Sequence, residues 1–425
     1  MIVRRHLLRT FFVVSALGAC IYGWHHWRLT HPDRSYAMSE LTKNMQTHCV
    51  GRLLIDLPAG TSWTPQASGA QLGDVALSVT TGVSQREFLE QVEQRWKEVE
   101  ARQSNSEDIK RPAERSSPLD NSAVFTYGFR HADGPDFYGV WRNDINYDAE
   151  GYFWRDGTLF KIKPQLNGTD EIAKLLPRLH ARATDEIPKS PGLCLSGAFV
   201  EGYYDLADGE QEDVSWGFVL PRKLGVVVRH ALVWTPGQPM LEKRRESDIE
   251  VAGLIARLLS EPGVVAGRKE YRASKRVVGD LAGEEYVMGG TEGEGPHEFK
   301  TNAGGEWDFV GRGTPTPLPS INLAMDTTYL TSRKPSSLGD FPNAEDVSGG
   351  PTEAEFFEIW DAIINSVRFR PGALTPPPAG RKPPSSPTSP NPVTSIHNSK
   401  TGTDDYSMEE FLAGLSSSEN WMDKL

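Results

Sequence analysis

Two short segments, far apart in the chain, share a cysteine close to a glycine and an apolar run. The first reads THCVGRLLIDLP and contains Cys49, and the second reads GLCLSGAFVEG and contains Cys194. After each segment the hydrophobic pattern follows the same order of strands, a helix, further strands and a closing helix. A repeated order of elements predicts two units of one design. We therefore predict two tandem α+β domains of similar element order, over residues 41–188 and 189–372.

The first unit begins with clear local signals. Alternating apolar residues predict strands at 53–58 and 74–81, because every second side chain of a strand lies on one face. Ser84 and Glu87 occupy the positions of a capping box, which predicts a helix over 85–102. The remaining predicted elements are strands at 122–130, 137–144 and 152–164, with a turn at Arg155–Gly157, and a helix over 169–184 that is interrupted near Pro177.

The second unit ends with the strongest helix signal in the chain. Thr352 and Glu355 form a capping box, and Phe356, Ile359 and Trp360 follow at helical spacing. A helix is also predicted around 249–258. The predicted strands of this unit lie at 195–203, 214–220, 225–235, 284–290, 306–312 and 321–330.

The first 27 residues predict an export signal or a membrane anchor, followed by a linker over 28–40. Arg4, Arg5 and Arg9 precede an uncharged run from Thr10 onward, as in a signal peptide or a short membrane span. The LGAC sequence ending at Cys20 is similar to a bacterial lipobox, so Cys20 is a candidate for lipidation. Cleaved signal, uncleaved anchor and lipoprotein remain alternatives, and each exports the body of the chain.

Residues 373–425 predict a disordered tail that begins with a proline-rich linker. The sequence LTPPPAGRKPPSSPTSPNP cannot pack a core. The acidic end that follows is expected to be solvated. Its apolar residues have helical spacing, so a short interaction helix is the alternative.

Charge and motifs favour a binding protein over an enzyme. The net charge of −12 disfavours nucleic acid, whose phosphates select a basic surface. The sequence contains no nucleophile elbow, Walker loop or metal-ligand spacing, so we assign no catalytic, cofactor or metal site. GGTEGEG, at 289–295, predicts a hairpin loop, and YDLADGEQED, at 204–213, a solvated acidic loop. Most histidines are expected to be ordinary surface or partly buried residues.

Cys49 and Cys194 are the two cysteines of the exported body. An oxidising compartment would permit a disulfide between them. Equivalent positions of tandem domains need not meet, however, so two separately buried thiols are the alternative. The absence of a C-x-x-C sequence makes a redox site the least favoured interpretation.

Four segments together resemble a known family. HCVGRLLIDLP, GLCLSGAFVEG, LAGEEYVM and EIWDAIINSVRFRPGA occur in an order similar to that of the bacterial type VI secretion lipase-effector immunity proteins of family four. The resemblance covers about 45–373, and the proline-rich segment and acidic tail depart from it. These segments look like core elements, so the resemblance assigns no contact residues.

The resemblance implies a periplasmic protein that binds and sterically blocks a toxic phospholipase effector. It implies no catalysis, no cofactor and no small-molecule substrate. We expect the cognate effector to be the partner, and we expect the N-terminal segment to attach the protein to the inner membrane. The alternative is a membrane-anchored envelope structural or assembly protein that recruits partners through its C-terminal tail.

Overall fold

The computed structural model describes residues 40–103, 109–135, 139–202, 212–232, 237–245, 264–294, 299–312, 318–331, 337, 339–341 and 350–374. The export segment with Cys20, the helix predicted around 249–258, the linker except Glu40 and the tail except residues 373–374 lie outside these residues. Ala373 is buried and accepts a hydrogen bond from Arg52, so the predicted tail begins after it. Within them, no helix is long and apolar enough to cross a membrane.

Strands dominate the described residues, so the chain is richer in sheet than the predicted α+β class implies. The main helices are α1 (Glu40–Lys43), α2 (Gln85–Gln103), α3 (Thr169–Leu175) and α4 (Glu353–Ser366). The strands are β1 (Met45–Val50), β2 (Leu53–Pro58), β3 (Ser62–Leu72), β4 (Val75–Thr81), β5 (Glu114–Ser116), β6 (Ser122–Pro135), β7 (Trp141–Arg155), β8 (Thr158–Pro164), β9 (Leu179–Ala181), β10 (Gly192–Leu195), β11 (Ala198–Glu201), β12 (Glu212–Leu220), β13 (Leu224–Leu232), β14 (Val264–Val278), β15 (Leu281–Glu294), β16 (Phe299–Phe309), β17 (Ser320–Thr331) and β18 (Arg368–Phe369).

One antiparallel sheet of twelve strands runs through the molecule. Its order is β14-β15-β16-β17-β13-β12-β3-β4-β8-β7-β6-β5. We call the part from α1 to β9 the N-half and the part from β10 to β18 the C-half. The halves join where β3 pairs with β12, with Val214 opposite Ala70. The two predicted units are therefore continuous in one sheet.

The two halves have the same topology. Counted outward from the junction, the N-half strands follow the order β3-β4-β8-β7-β6-β5, and the C-half strands follow β12-β13-β17-β16-β15-β14. Each half opens with a hairpin, β1-β2 or β10-β11, and closes with a helix and a short strand. The matched order predicted from the sequence is therefore a structural duplication about the β3–β12 junction.

The closing strands cross from one half to the other. β9, at the end of the N-half, pairs with β11 of the C-half. β18, at the end of the C-half, pairs with β2 of the N-half. Each opening hairpin is thus completed by the closing strand of the opposite half, so the halves are linked at both ends as well as through the large sheet.

Each closing helix lies close to its own half of the sheet because a glycine faces it. An added Cβ at Gly151 in β7 would lie 2.7 Å from Ile172 Cγ2 in α3. An added Cβ at Gly305 in β16 would lie 2.9 Å from the indole of Trp360 in α4. A missing side chain at each strand position therefore makes room for the helix.

Several sequence predictions fail for identifiable reasons. The helix predicted over 169–184 ends at Leu175, since a short 3₁₀ turn containing Pro177 follows and residues 179–181 pair as β9. The described part of GGTEGEG is not a loop, because it pairs on both sides within β15. β14 was not predicted, since its charged sequence VVAGRKEYRASKRVV hides the strand pattern.

Candidate functional site

The opening hairpins of the two halves meet at a disulfide. Cys49 in β1 and Cys194 in β10 are bonded, with 5.7 Å between their Cα atoms and a sequence separation of 145. Their cross-strand neighbours, Leu54 and Phe199, have the same offset and complete a small buried cluster. The two halves have the same topology, so a residue that lies close to the axis relating them is next to the equivalent residue of the other half. This explains how the two cysteines come together. We call this contact between the halves the seam.

A buried ion pair reinforces the seam. Arg52, in the β1–β2 turn, donates from Nε to Glu212 Oε2 over 2.8 Å and makes a second bond from its terminal nitrogen. The two side chains are 1% and 0% exposed. Glu212 was expected in a solvated acidic loop, and that expectation was wrong for this residue. In a charge pair this buried, each charge depends on the other to offset the cost of its removal from water.

Arg370 links the end of the C-half to the segment between the halves. Its guanidinium donates to the backbone carbonyls of Pro188, Ser190 and Gly192 over 2.6–2.8 Å. Burial and, to a lesser extent, the nearby charge of Arg52 lower the pKa of Arg370 to about 10. The segment predicted to join the domains is therefore held by hydrogen bonds and is part of the seam.

His230 lies beside the hairpin turn at the seam. Its side chain is fully buried, and neither ring nitrogen has a hydrogen-bonding partner among the described residues. Burial lowers the pKa of His230 to about 4. This histidine is therefore neutral at ordinary pH and belongs to the core, contrary to the expected surface or partly buried position.

A cluster of charges lies where α4 meets β14 and β15. A groove at this place is lined by Arg272, Ser274, Arg276, Glu285, Asp361 and Asn365. Glu285 accepts hydrogen bonds from Trp360 Nε1 over 2.7 Å and from Arg272 over 3.2 Å. Burial alone would raise the pKa of Asp361, but hydrogen bonds and charge from Arg272 and Arg276 lower it overall. The charges compensate one another, so the cluster fits a structural role better than a catalytic one.

A two-stranded ribbon extends from the N-half sheet. We define it as residues 129–135 of β6 and 141–147 of β7. β8 pairs with β7 only from Gly151 to Arg155, so among the described residues the ribbon has no third strand on that side. Phe129 at its base is buried, but two apolar side chains further out are exposed, Trp141 at 67% and Ile145 at 46%. This is the most exposed aromatic surface in the part of the chain that the structure describes.

The described residues contain no group of three or more potential metal ligands. Cys20 lies outside them, so the structure does not place the candidate lipidation site relative to Cys49 and Cys194. What the structure assembles is a rigid seam and exposed surfaces, which suits binding.

Family models then identify the protein class. The model of the Tle cognate immunity protein 4 C-terminal domain matches residues 186–372, and the model of the N-terminal domain of the same family matches 46–175. The chain belongs to the Tle cognate immunity protein 4 family. The type VI lipase-effector immunity family expected from the sequence is confirmed, and so is a two-domain layout.

Solved structures of similar fold include other immunity proteins. The apo immunity protein TplEi of the type VI secretion system from Pseudomonas aeruginosa is 20% identical, with a TM-score of 0.54, and covers 78% of this chain and 99% of that chain. The crystal structure of a Tle4–Tli4 complex gives the same four values. A comparison with curated proteins finds no match.

Sequence reasoning missed the residues that form the seam. Arg52 was treated as part of a strand segment, and Arg370 as the end of a helix. Their partners lie more than a hundred positions away, with Glu212 separated from Arg52 by 160 positions. The available signal was the matched offset of the two cysteines, which identifies the hairpins that must meet.

Proposed function

We propose that this protein binds a type VI secretion lipase effector in the periplasm and blocks it sterically. Matches to both immunity domains, over 46–175 and 186–372, carry this proposal. A complex of Tle4 with Tli4 has been crystallised, which supports the same kind of partner for this chain. The protein acts as a binder and not as an enzyme.

The seam supports inhibition by a preformed surface. A disulfide, a buried ion pair and two crossed closing strands hold the halves in one orientation. A surface that is ordered before binding loses less conformational entropy when the partner arrives. Such a body can cover the substrate entrance of a lipase without rearranging. Its acidic surface would also speed association with a basic toxin.

The proposal places the protein outside the cytoplasm, tethered to the inner membrane by residues 1–27. The basic and then apolar sequence supports export, and the disulfide suits an oxidising compartment. Lipidation of Cys20 would give the same location. We retain 41–188 and 189–372 as domain bounds, with the closing strands exchanged across them. We assign residues 373–425 an accessory role. The matches to the immunity domains do not favour the alternative of an envelope-assembly protein.

Coexpression with the cognate lipase effector, directed to the periplasm, tests the function. Cells that export this protein are expected to survive, whereas cells expressing a variant without residues 1–27 are expected to lyse. Lysis despite stable, exported wild-type protein would contradict the proposal. Protection by a variant truncated after residue 372 would support an accessory role for the tail.

A further inference from the structure

The ribbon continues the core-facing side of β7 beyond the helix that covers it. Gly151 and Ala149 face the main core, and Gly151 lies against Ile172 of α3. Because side chains alternate along a strand, Tyr147, Ile145 and Trp141 point to the same side. α3 is only seven residues long. The apolar face therefore passes from buried to exposed within a single strand.

The two faces of the ribbon differ in the exposed apolar side chains they carry. Arg142, Asp144 and Asn146 occupy one face of β7. Trp141 and Ile145 lie on the other face, together with Asn143 and, across the pair on β6, His131 and Asp133. At the base of the apolar face, Phe129 packs against Tyr147 with ring centroids 5.8 Å apart. One-sided apolar alternation is the pattern of a strand that packs against something. In the described residues nothing packs against the outer part of this face.

Trp141 is held in place before any partner binds. Its Nε1 donates to Asn143 Oδ1 over 3.0 Å, which restrains the indole although 67% of the side chain is exposed. Large aromatic side chains that are ordered in advance make efficient interface anchors, because they bury much area at low entropic cost.

We infer that the apolar face of the ribbon, centred on Trp141 and Ile145, is an anchor that inserts into an apolar cleft of the lipase effector. This inference rests on the proposed function and names the contact surface for it. An enzyme that accepts acyl chains needs an apolar entrance, and the exposed side chains of Trp141 and Ile145 are apolar groups that such an entrance can bury.

Other occupants fit the ribbon less well. Trp141, Ile145 and their neighbour Val140 expose on the order of 300 Å² together. A stable dimer needs about 800 Å² from each copy, so the ribbon alone is too small for self-association. Asp133 is opposite Asn143 on the apolar face, and the chain is acidic overall, which disfavours an anionic lipid surface. The interpretation that remains is that the ribbon acts as an anchor within a larger interface with a protein.

Calorimetric titration of the purified chain with a catalytically inactive variant of the cognate lipase effector tests the anchor. We expect Trp141→Ala to weaken binding about 10-fold to 30-fold. The matched control is Trp63→Ala, because Trp63 is 37% exposed and its Nε1 donates to Ser68 over 2.7 Å in the same manner. The control is expected to change affinity less than about threefold. Ile145→Ser is a second variant, expected to weaken binding about fivefold or more.

Each alternative result has a definite meaning. Wild-type affinity in both Trp141→Ala and Ile145→Ser would overturn the anchor while leaving the proposed function intact. No binding by the wild type would instead remove the proposed function. Loss of self-association, or of sedimentation with anionic phospholipid vesicles, in Trp141→Ala without any change in lipase affinity would also overturn the anchor. Urea unfolding confirms that each variant is folded.

Discussion

The two halves share a topology but differ in how they close. In the C-half, α4 has 14 residues, a complete capping box at Thr352 and Glu355, and five buried side chains. In the N-half, α3 has seven residues and no side-chain cap at Gly168. Both nevertheless lie over a glycine of the sheet and lead into a crossing strand. Strand pairing and close packing, rather than helix length, maintain the repeated architecture.

The halves also differ in the carboxyl groups they bury. Burial raises the pKa of Asp326 to about 7. Burial and the charge of Glu306 raise the pKa of Asp308 to about 6. Both lie in the C-half, on β17 and β16. We therefore expect the C-half to be the part whose stability depends more on pH near neutrality.

Breaking the seam that both halves share is expected to have the largest effect. Arg52→Ala leaves Glu212 buried without its counter-charge, which should cost about 3–5 kcal/mol in the free energy of unfolding measured with urea. Arg229→Ala is the control, since it removes an exposed pair with the adjacent Asp213 and should cost under about 1 kcal/mol. Equal losses in the two variants would show that the buried pair does not stabilise the seam.

Removing the disulfide tests whether the hairpins need a covalent link. The double variant Cys49→Ala, Cys194→Ala is expected to lose about 2–5 kcal/mol in urea unfolding, because the bond closes a long loop. Reductant should lower the stability of the wild type to a similar value and leave the double variant unchanged. A loss below about 1 kcal/mol would mean that the crossed strands hold the halves without help.

A pH series separates the C-half from the N-half. The fold keeps Asp326 protonated up to about pH 7, whereas the unfolded chain releases this proton near pH 4. The free energy of unfolding therefore falls as the pH rises between these values. We expect Asp326→Asn to gain about 2–3 kcal/mol relative to the wild type between pH 5 and pH 8. Asp156→Asn, in an exposed N-half turn, is the control. If the difference in the free energy of unfolding between Asp326→Asn and the wild type did not change with pH, the raised pKa assigned to Asp326 would be contradicted.

The two facing glycines give the finest comparison. We expect Gly305→Ala to cost about 2–3 kcal/mol, because the new methyl meets the rigid indole of Trp360. Gly151→Ala should cost about 1 kcal/mol, since the only contact of its new methyl under 3.4 Å is with a methyl group of Ile172. Combining Gly151→Ala with Ile172→Ala should cost less than the sum of the single changes. Additive losses would show that the two positions do not touch.

The sequence predicts best where the determinants are local. α4 was predicted from a capping box and a helical apolar repeat, and both lie within one segment. α2 and the β7–β8 turn were predicted for the same reason. The matched element order, which depends on many such local signals, was sufficient to predict a duplication.

Contacts between distant segments could not be derived in that way. The pairing of β3 with β12, and of each closing strand with the opposite hairpin, depends on how the two halves face each other. Arg52 and Glu212 look like surface charges until this pairing places them together. The exposure of Trp141 was likewise hidden, because its strand resembles any half-buried strand until the extent of β8 is known.

Inhibition of the lipase tests the central claim most directly. Purified wild-type protein would be titrated into the cognate lipase effector while phospholipid hydrolysis is recorded. We predict that hydrolysis falls in proportion to added protein and stops at a stoichiometric complex, which size-exclusion chromatography would detect. Undiminished hydrolysis with excess folded, disulfide-bonded protein, and no complex, would contradict the account.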